Sequence, residues 1–323
     1  MKSPGNVNAF NNFFSEIGGF DFIDISSYTK ELMYFPEMDA LSLNFQNAGF
    51  ADALVISNMG FLFYILLGHV FAIPLVLLLN CCGKKFRRLK PITDRSHRYM
   101  FYGGSIRFFM EGYLDICMFS LMNVKALDWS GTFLTVTICN YVAVIFTTFA
   151  CLFPVFVLVW YICRMHLWHS EEFKGKWGAL LDDLDIDKKD GQWIVIIFPV
   201  SYFLRRLSFT VVLVFWYEFL WGQIAIMAML SVAMIIFIMW FRPMESNFVT
   251  NIETFNECIA LCVIYLMMSM SDAVPDVEAR SIYGQFFIVV ISIYLGVHMV
   301  VLFSDICYKI KLRCHLCFSK CRR

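Results

Sequence analysis

The sequence predicts an all-α, polytopic helical membrane protein with about seven transmembrane helices. Its 323 residues are 59% hydrophobic and only 16% charged, with 35 phenylalanines, and the apolar share exceeds that of soluble domains. The apolar residues fall into repeated runs, and about 20 such residues in a helix cross about 30 Å of hydrocarbon. A soluble chain of this length would suggest two domains, whereas these runs indicate one membrane domain over 58–304.

Seven apolar runs bounded by charged or turn residues are the candidate spans. The second run is the least apolar because it contains Arg107, Glu111 and Asp115. The third is too long for one untilted crossing, and we expect its end to leave the bilayer. The runs cover 58–80, 101–123, 131–163, 194–217, 224–241, 253–271 and 282–304.

Basic residues are sorted between alternate loops, and cytoplasmic loops are enriched in Lys and Arg. With the N-terminus outside, nineteen basic residues fall in inner segments and four in outer ones. An odd number of spans then places the C-terminus in the cytosol. The prediction is an outer, aromatic-rich pre-membrane segment at 1–57, a membrane domain at 58–304, and a basic, Cys-rich cytosolic tail at 305–323. The membrane is the plasma membrane or an endomembrane.

The outer segment 1–57 is acidic and rich in aromatic residues. It has no apolar core after a basic start, so we do not expect a cleavable signal peptide. It also has too many aromatic residues for a disordered tail. We therefore expect short elements packed on the outer rim of the helices or at the lipid headgroups, where aromatic rings are favoured.

Twelve cysteines lie in the spans or on the predicted inner face, and none lies in an outer segment. This distribution excludes an extracellular disulfide framework within the chain. Cysteines beside Lys and Arg near the membrane are candidates for S-palmitoylation, or they are plain reduced thiols. The spacing in the tail is too short for a zinc ribbon or finger, so no metal is predicted. The candidate lipidation sites are Cys81, Cys82, Cys314 and Cys317.

Ionisable residues within the spans are the candidate functional site, because charges at membrane depth are costly and usually face a bundle interior or an aqueous cavity. Three of them repeat every four residues and so share one stripe of the second span. Others lie in the fourth and sixth spans, which predicts pairing of arginines with carboxylates between helices. The ionisable residues are Arg107, Glu111, Asp115, Arg205, Arg206, Glu253 and Glu257, and the polar amide Asn256 beside the two glutamates completes the set.

Three interpretations of these residues remain open. They form a hydrated pathway or a network that rearranges on gating, or they form a static network that determines helix register. Pro199 suggests an alternative: if 194–204 is an interfacial helix that ends in a kink, Arg205 and Arg206 snorkel to the inner headgroups. His298 lies alone in the last span and is predicted to be a hydrogen-bonded packing residue.

Other motifs in the sequence are weak. The acidic stretch from Asp183 to Asp187 resembles the start of a calcium loop, but Lys188 replaces the glycine and Ile194 the bidentate glutamate that such a loop needs. No dinucleotide-binding, Walker, zinc-protease or nucleophile-elbow motif is present. No basic stripe suggests nucleic acid. We therefore predict no enzymatic activity, no cofactor and no nucleic-acid partner.

A set of short motifs resembles the membrane domain of a large group of ciliate multi-pass proteins. That domain is similar in turn to transient-receptor-potential-like channels of the fungal and polycystin-related type. Members often carry an extracellular cysteine-rich region before the first span, so this chain is expected to be a short member or a fragment. The motifs are Arg107-Phe-Phe-x-Glu111-Gly-Tyr-x-Asp115, Phe198-Pro199-x4-Leu204-Arg205-Arg206-Leu207, Gln223-Ile224, Phe241-Arg242-Pro243, Asn251-Ile252-Glu253-x-Phe255-Asn256-Glu257 and Val274-Pro275-Asp276.

The resemblance implies a channel-like subunit that conducts cations or is non-selective, with the charged residues lining or gating a path. The outer loops 218–223 and 272–281 are too short for a re-entrant pore helix. Two alternatives are a non-conducting membrane anchor or receptor module and a lipid scramblase. The expected partners are membrane lipids and ions, with a second copy of the chain or other proteins as further candidates.

Overall fold

The computed structural model describes residues 33, 35–36, 40–42, 45–46, 50, 52–85, 90–131, 133–181, 184–186, 192–271 and 274–321. In this part of the chain the secondary structure is helical, apart from one isolated bridge. Six helices are long and apolar enough to cross a membrane. The chain is therefore a multi-pass integral membrane protein.

The described residues form ten α-helices, and each predicted apolar run falls on one of them. Most predicted ends are correct to within a few residues, but the last helix continues well beyond 304. The helices are α1 Val55–Met59, α2 Phe61–Lys85, α3 Lys90–Arg98, α4 Gly104–Lys125, α5 Leu134–Arg164, α6 Glu171–Trp177, α7 Gln192–Phe215, α8 Leu220–Phe241, α9 Asn247–Ser269 and α10 Val277–Cys321.

Helix α4 accounts for the difference between seven predicted spans and six apolar helices. It has 22 residues, and at 1.5 Å per residue it is about 33 Å long, which is the length of a membrane crossing. Its three central charges, Arg107, Glu111 and Asp115, lower its hydropathy below that of the other six helices.

Helices α4, α5 and α7 pack together as a three-helix bundle that contains the largest core cluster. Aromatic side chains from all three helices meet in this core. The rings of Phe153 and Phe203 lie edge to face with centroids 5.0 Å apart, and Tyr113 is equally close to Phe203. Helix α8 packs against α7 and α9, and α10 packs against α9, so three further helices extend the bundle on one side.

Prolines lie inside three of the described helices without ending them, and Pro74 is within α2. Pro154 is within α5 and Pro199 is within α7. A proline leaves the carbonyl four residues earlier without its helical partner. In α5 this carbonyl belongs to Ala150, and the Tyr113 hydroxyl of α4 donates a 2.8 Å hydrogen bond to it. The partner helix thus satisfies the group that the proline leaves free, as membrane helices require.

Contacts near the ends of the helices divide these ends into two sets. At the α1 end of the bundle, Asn123 of α4 accepts from the Val55 amide at 3.1 Å and donates to Asn140 of α5 at 2.9 Å. At the same end, the Lys125 ammonium donates to the Val214 carbonyl of α7 at 2.8 Å. The ends of α4 and α7 and the start of α5 therefore lie together.

The opposite end of the bundle is held by the connection between α5 and α7. The Tyr161 hydroxyl of α5 donates to the Leu180 carbonyl at 2.6 Å. Leu184 forms a bridge with Met244, which follows α8. The Tyr102 ring, just before α4, lies 5.3 Å from the Trp177 ring.

Several predictions concern residues outside the described ranges. Most of the segment 1–57 is among them, although Phe45 is buried against the ends of α4 and α7. The acidic residues Asp182, Asp183, Asp187 and Asp190 lie outside them too. The side chains of Cys82, Cys314 and Cys317 are also not described.

Candidate functional site

Helix α7 carries two adjacent arginines near its middle. Arg205 and Arg206 lie in one continuous helix that extends from Gln192 to Phe215 through Pro199. The snorkelling alternative, in which 194–204 is an interfacial helix, stays a prediction. Because successive residues of a helix point about 100° apart, the two guanidinium groups reach different neighbours.

Arg205 reaches α9, where it forms an ion pair with Glu257. The Glu257 side chain is 6% exposed and the Arg205 side chain 26% exposed. Arg205 contacts Oε1 of the carboxylate, while the buried Oε2 has no hydrogen-bond donor among the described residues. The pair joins α7 to α9 but satisfies only one of the two carboxylate oxygens.

A chain of hydrogen bonds continues from α9 to α10. The Asn256 side chain lies within interaction range of the carboxylate of Glu253, one turn before Glu257. The Oδ1 atom of Asn256 lies 2.8 Å from Nε2 of His298 on α10. The His298 ring lies 4.4 Å from the Tyr294 ring, edge to face. Polar groups on two helices therefore adjoin the Arg205–Glu257 pair.

Arg206 reaches α4 in the other direction. Its Nη1 donates to the Met110 carbonyl at 2.8 Å and, more weakly, to the Glu111 carbonyl at 3.4 Å. The guanidinium also lies over the Tyr202 ring, with its central carbon 4.1 Å from the ring centroid. It attracts Asp115 electrostatically, but both hydrogen bonds go to backbone oxygens rather than to carboxylates.

The three charges of α4 lie along one exposed stripe. Arg107, Glu111 and Asp115 are all exposed on the surface of the chain. Glu111 and Asp115 lie within electrostatic range of Tyr202 and Arg206 of α7, respectively, and Arg107 is one helical turn before Glu111. Exposed charges at membrane depth require water, lipid headgroups or a partner to solvate them.

The structure thus divides the predicted site residues into two groups on either side of α7. The first group lies between α7 and α9 and consists of Arg205, Glu253, Asn256 and Glu257. Arg206 links α7 to the second group, which is the charged stripe of α4. His298 belongs to the first group, although the sequence analysis placed it alone. Its partner was hidden because the packing of α10 against α9 is not visible in a single sequence.

No metal site is found in the part of the chain that the structure describes, where no three His, Cys, Asp or Glu side chains come together. Cys81, a candidate lipidation site, is exposed near the end of α2. Its exposure makes the thiol accessible at the membrane boundary. The eight described cysteines are all unpaired.

No protein-family model, curated protein or solved structure matches the chain. The functional conclusion therefore depends on the arrangement of polar side chains across α4, α7, α9 and α10. The resemblance to ciliate and transient-receptor-potential-like proteins stays a prediction from the motifs.

Proposed function

We propose that the chain is a channel-like subunit of the transient-receptor-potential-like type that its motifs resemble. In this proposal the polar groups of α4, α7, α9 and α10 line or gate a path for ions. One observation carries the proposal: Arg205 and Arg206 connect α7 to polar groups on both sides of it, near the middle of a helix long enough to cross the bilayer.

Incomplete pairing of the carboxylates favours this function over a non-conducting anchor or receptor module. A static network is expected to satisfy each of its buried polar atoms. The Oε2 atom of Glu257 is buried without a donor in the described structure. A carboxylate oxygen in this state is suited to accept a hydrogen bond from water in a hydrated path.

The proposed topology has seven crossings, with the N-terminus outside and the C-terminus in the cytosol. The two sets of helix-end contacts support it. The start of α4 lies beside the end of α5 at one side of the bundle, and the end of α4 lies beside the start of α5 at the other, so α4 runs the full length of the bundle. The charges of α4 are then at membrane depth. The Lys- and Arg-rich connections lie on the inner side, as the positive-inside rule predicts.

The test is cation flux through the full chain reconstituted in lipid vesicles. We expect uptake of Na⁺, K⁺ or Ca²⁺ by wild-type vesicles, and we expect Glu257→Gln to change its rate at least several-fold because it removes the charge beside Arg205. The control is Asp305→Asn, which removes an exposed ion pair with Lys309 in the C-terminal half of α10. Wild-type vesicles that pass none of these cations would contradict the channel proposal.

A lipid scramblase is the second candidate, and the exposed stripe of α4 favours it. Arg107, Glu111 and Asp115 form a polar track on an outward-facing side of the helix. Such a track can solvate lipid headgroups as they cross the bilayer. The same vesicles test this function by the loss of inner-leaflet fluorescent lipid to an external quencher. Scrambling that Glu111→Leu with Asp115→Leu abolishes would support it, and absence of both ion flux and scrambling would favour the anchor.

A further inference from the structure

Glu253 and Glu257 of α9 place two carboxylates one helical turn apart, beside a single guanidinium. Glu257 is buried, with 5% of its surface exposed, and interacts electrostatically with Glu253. Arg205 contacts only Oε1 of Glu257, and Oε2 has no donor in the described part of the chain. If both carboxylates were ionised, one negative charge would remain uncompensated at membrane depth, where an unpaired charge is costly.

The groups packed around the two carboxylates are otherwise poor in positive charge. From α7 they are Arg205, Tyr202 and, on its far side, Arg206, and from α10 they are His298 and Tyr294. Helix α8, which also packs on α9, contains no ionisable residue. Arg205 pairs with Glu257, whereas His298 attracts Glu253 electrostatically but is hydrogen-bonded to Asn256 rather than to either carboxylate. Among the described residues, Glu253 therefore has no cation in direct contact with it.

We propose that Glu253 and Glu257 form an intramembrane proton-binding site that carries one proton. The proton comes from water and forms an O–H bond on one carboxylate oxygen, and no other bond is broken. The charge of the two glutamates and Arg205 then changes from −1 to zero. Two carboxylates that share a site do not readily ionise together, and the proton belongs to the pair rather than to either residue.

Asn256 and His298 position this pair. With Nε2 of His298 donating to Oδ1 of Asn256, the Asn256 amide nitrogen is left free to donate to Glu253, with whose carboxylate the Asn256 side chain interacts. A metal cation fits the site less well than a proton. The Arg205 guanidinium would repel it, and the described residues contain no group of three ligating side chains. Control of ion passage by this proton rests on the proposed function, whereas proton binding itself does not.

The test is infrared difference spectroscopy of the full chain in lipid vesicles, titrated from neutral to alkaline pH without an ion gradient. We expect the carbonyl band of a protonated carboxyl group at neutral pH and its loss at alkaline pH. Glu253→Gln and Glu257→Gln should each lose this band at neutral pH, because the remaining carboxylate is then balanced by Arg205. Glu111→Gln on α4 is the matched control and should keep it.

A wild-type protein without the band, or a band that both glutamine variants keep, would overturn the proposal. So would a band that Na⁺, K⁺ or Ca²⁺ displaces at constant pH, since that result identifies a metal site. The wild-type titration needs no substitution and stands even if a variant does not fold. Vesicles that bind the proton but pass no ions would retain this site and refute only the channel.

Discussion

At the scale of single residues, the Tyr113 hydroxyl replaces a hydrogen bond that Pro154 removes from α5. The Ala150 carbonyl has lost its helical donor, and Tyr113, 1% exposed, supplies one at 2.8 Å. The bond lies inside the three-helix core, where water is excluded. A buried carbonyl without a donor is expensive, and more so in a membrane helix.

We expect Tyr113→Phe to destabilise the protein by about 1–3 kcal/mol, because the Ala150 carbonyl then has no donor. The effect should depend on the proline. In a Pro154→Ala background, the new backbone N–H donates to Ala150, and Tyr113→Phe should cost much less. Unfolding equilibria of the four proteins in detergent measure this coupling. Equal costs of Tyr113→Phe in both backgrounds would contradict the assigned role.

The ion pair between Arg205 and Glu257 gives a second prediction. Removal of one partner from a buried pair costs about 3–5 kcal/mol, whereas removal of both costs far less. We therefore expect Arg205→Met to destabilise the protein strongly and Glu257→Gln to restore much of the loss in the double variant. The control is Lys309→Met, because the exposed pair with Asp305 should contribute less than about 1 kcal/mol. Purely additive effects would show that the two side chains are not coupled.

At the scale of elements, α1 is attached to the bundle by buried polar side chains rather than by its length. It has only five residues, and an isolated helix this short is not stable in water. Asp52 organises its start by accepting from the Leu54 amide at 2.9 Å and the Ser57 hydroxyl at 2.7 Å. Asn123 then joins α1 to α4 and α5. Gly60, with φ of 47°, makes the sharp turn from α1 into α2 in a conformation that glycine favours.

We expect Asn123→Ala to release α1 because it leaves the Val55 amide and the Asn140 amide oxygen without partners, at a cost of about 1–3 kcal/mol. Hydrogen exchange of residues 54–59 should become faster, while exchange in α9 stays unchanged. Thr137→Val is the control, since that hydroxyl bonds only to the Phe133 carbonyl of its own helix. Unchanged exchange in α1 would mean that apolar packing alone holds it.

At the scale of the whole molecule, the positions of the thiols provide a test of the predicted orientation in the membrane. With the N-terminus outside, the twelve cysteines are in the spans or on the inner side. We expect a thiol reagent that cannot cross membranes to label none of them in intact cells. Ser130→Cys, at an exposed position between α4 and α5, should be labelled from outside and serves as the positive control. Labelling of Cys81 or Cys307 from outside would reverse the orientation.

Much of the architecture was predictable because a bilayer imposes a simple length and polarity rule on each helix. The predicted runs fall on α2, α4, α5, α7, α8, α9 and α10. The rule does not predict that α7 continues through Pro199, since a local pattern cannot tell whether neighbouring helices will tolerate a proline. Nor does the rule predict the length of α10, which has 45 residues. A helix longer than the bilayer is thick continues as long as its backbone hydrogen bonds do.

The candidate site was only partly predictable for a related reason. The residue types in the spans identified Arg205 and Glu257, because charges at membrane depth are rare and need partners. The binding of Arg206 to backbone carbonyls of α4, and of His298 to Asn256, has no signal in the spacing. These contacts join residues that are 96 and 42 positions apart in the chain.

The sequence by itself determined that the protein lies in a membrane, which long apolar helices it forms and which residues are costly there. Those properties depend on the transfer of each segment from water to hydrocarbon, and each segment contributes on its own. Only the tertiary structure decided which charge meets which partner. That choice depends on the rotation and packing of neighbouring helices, and it leaves one oxygen of Glu257 without a donor in the described structure.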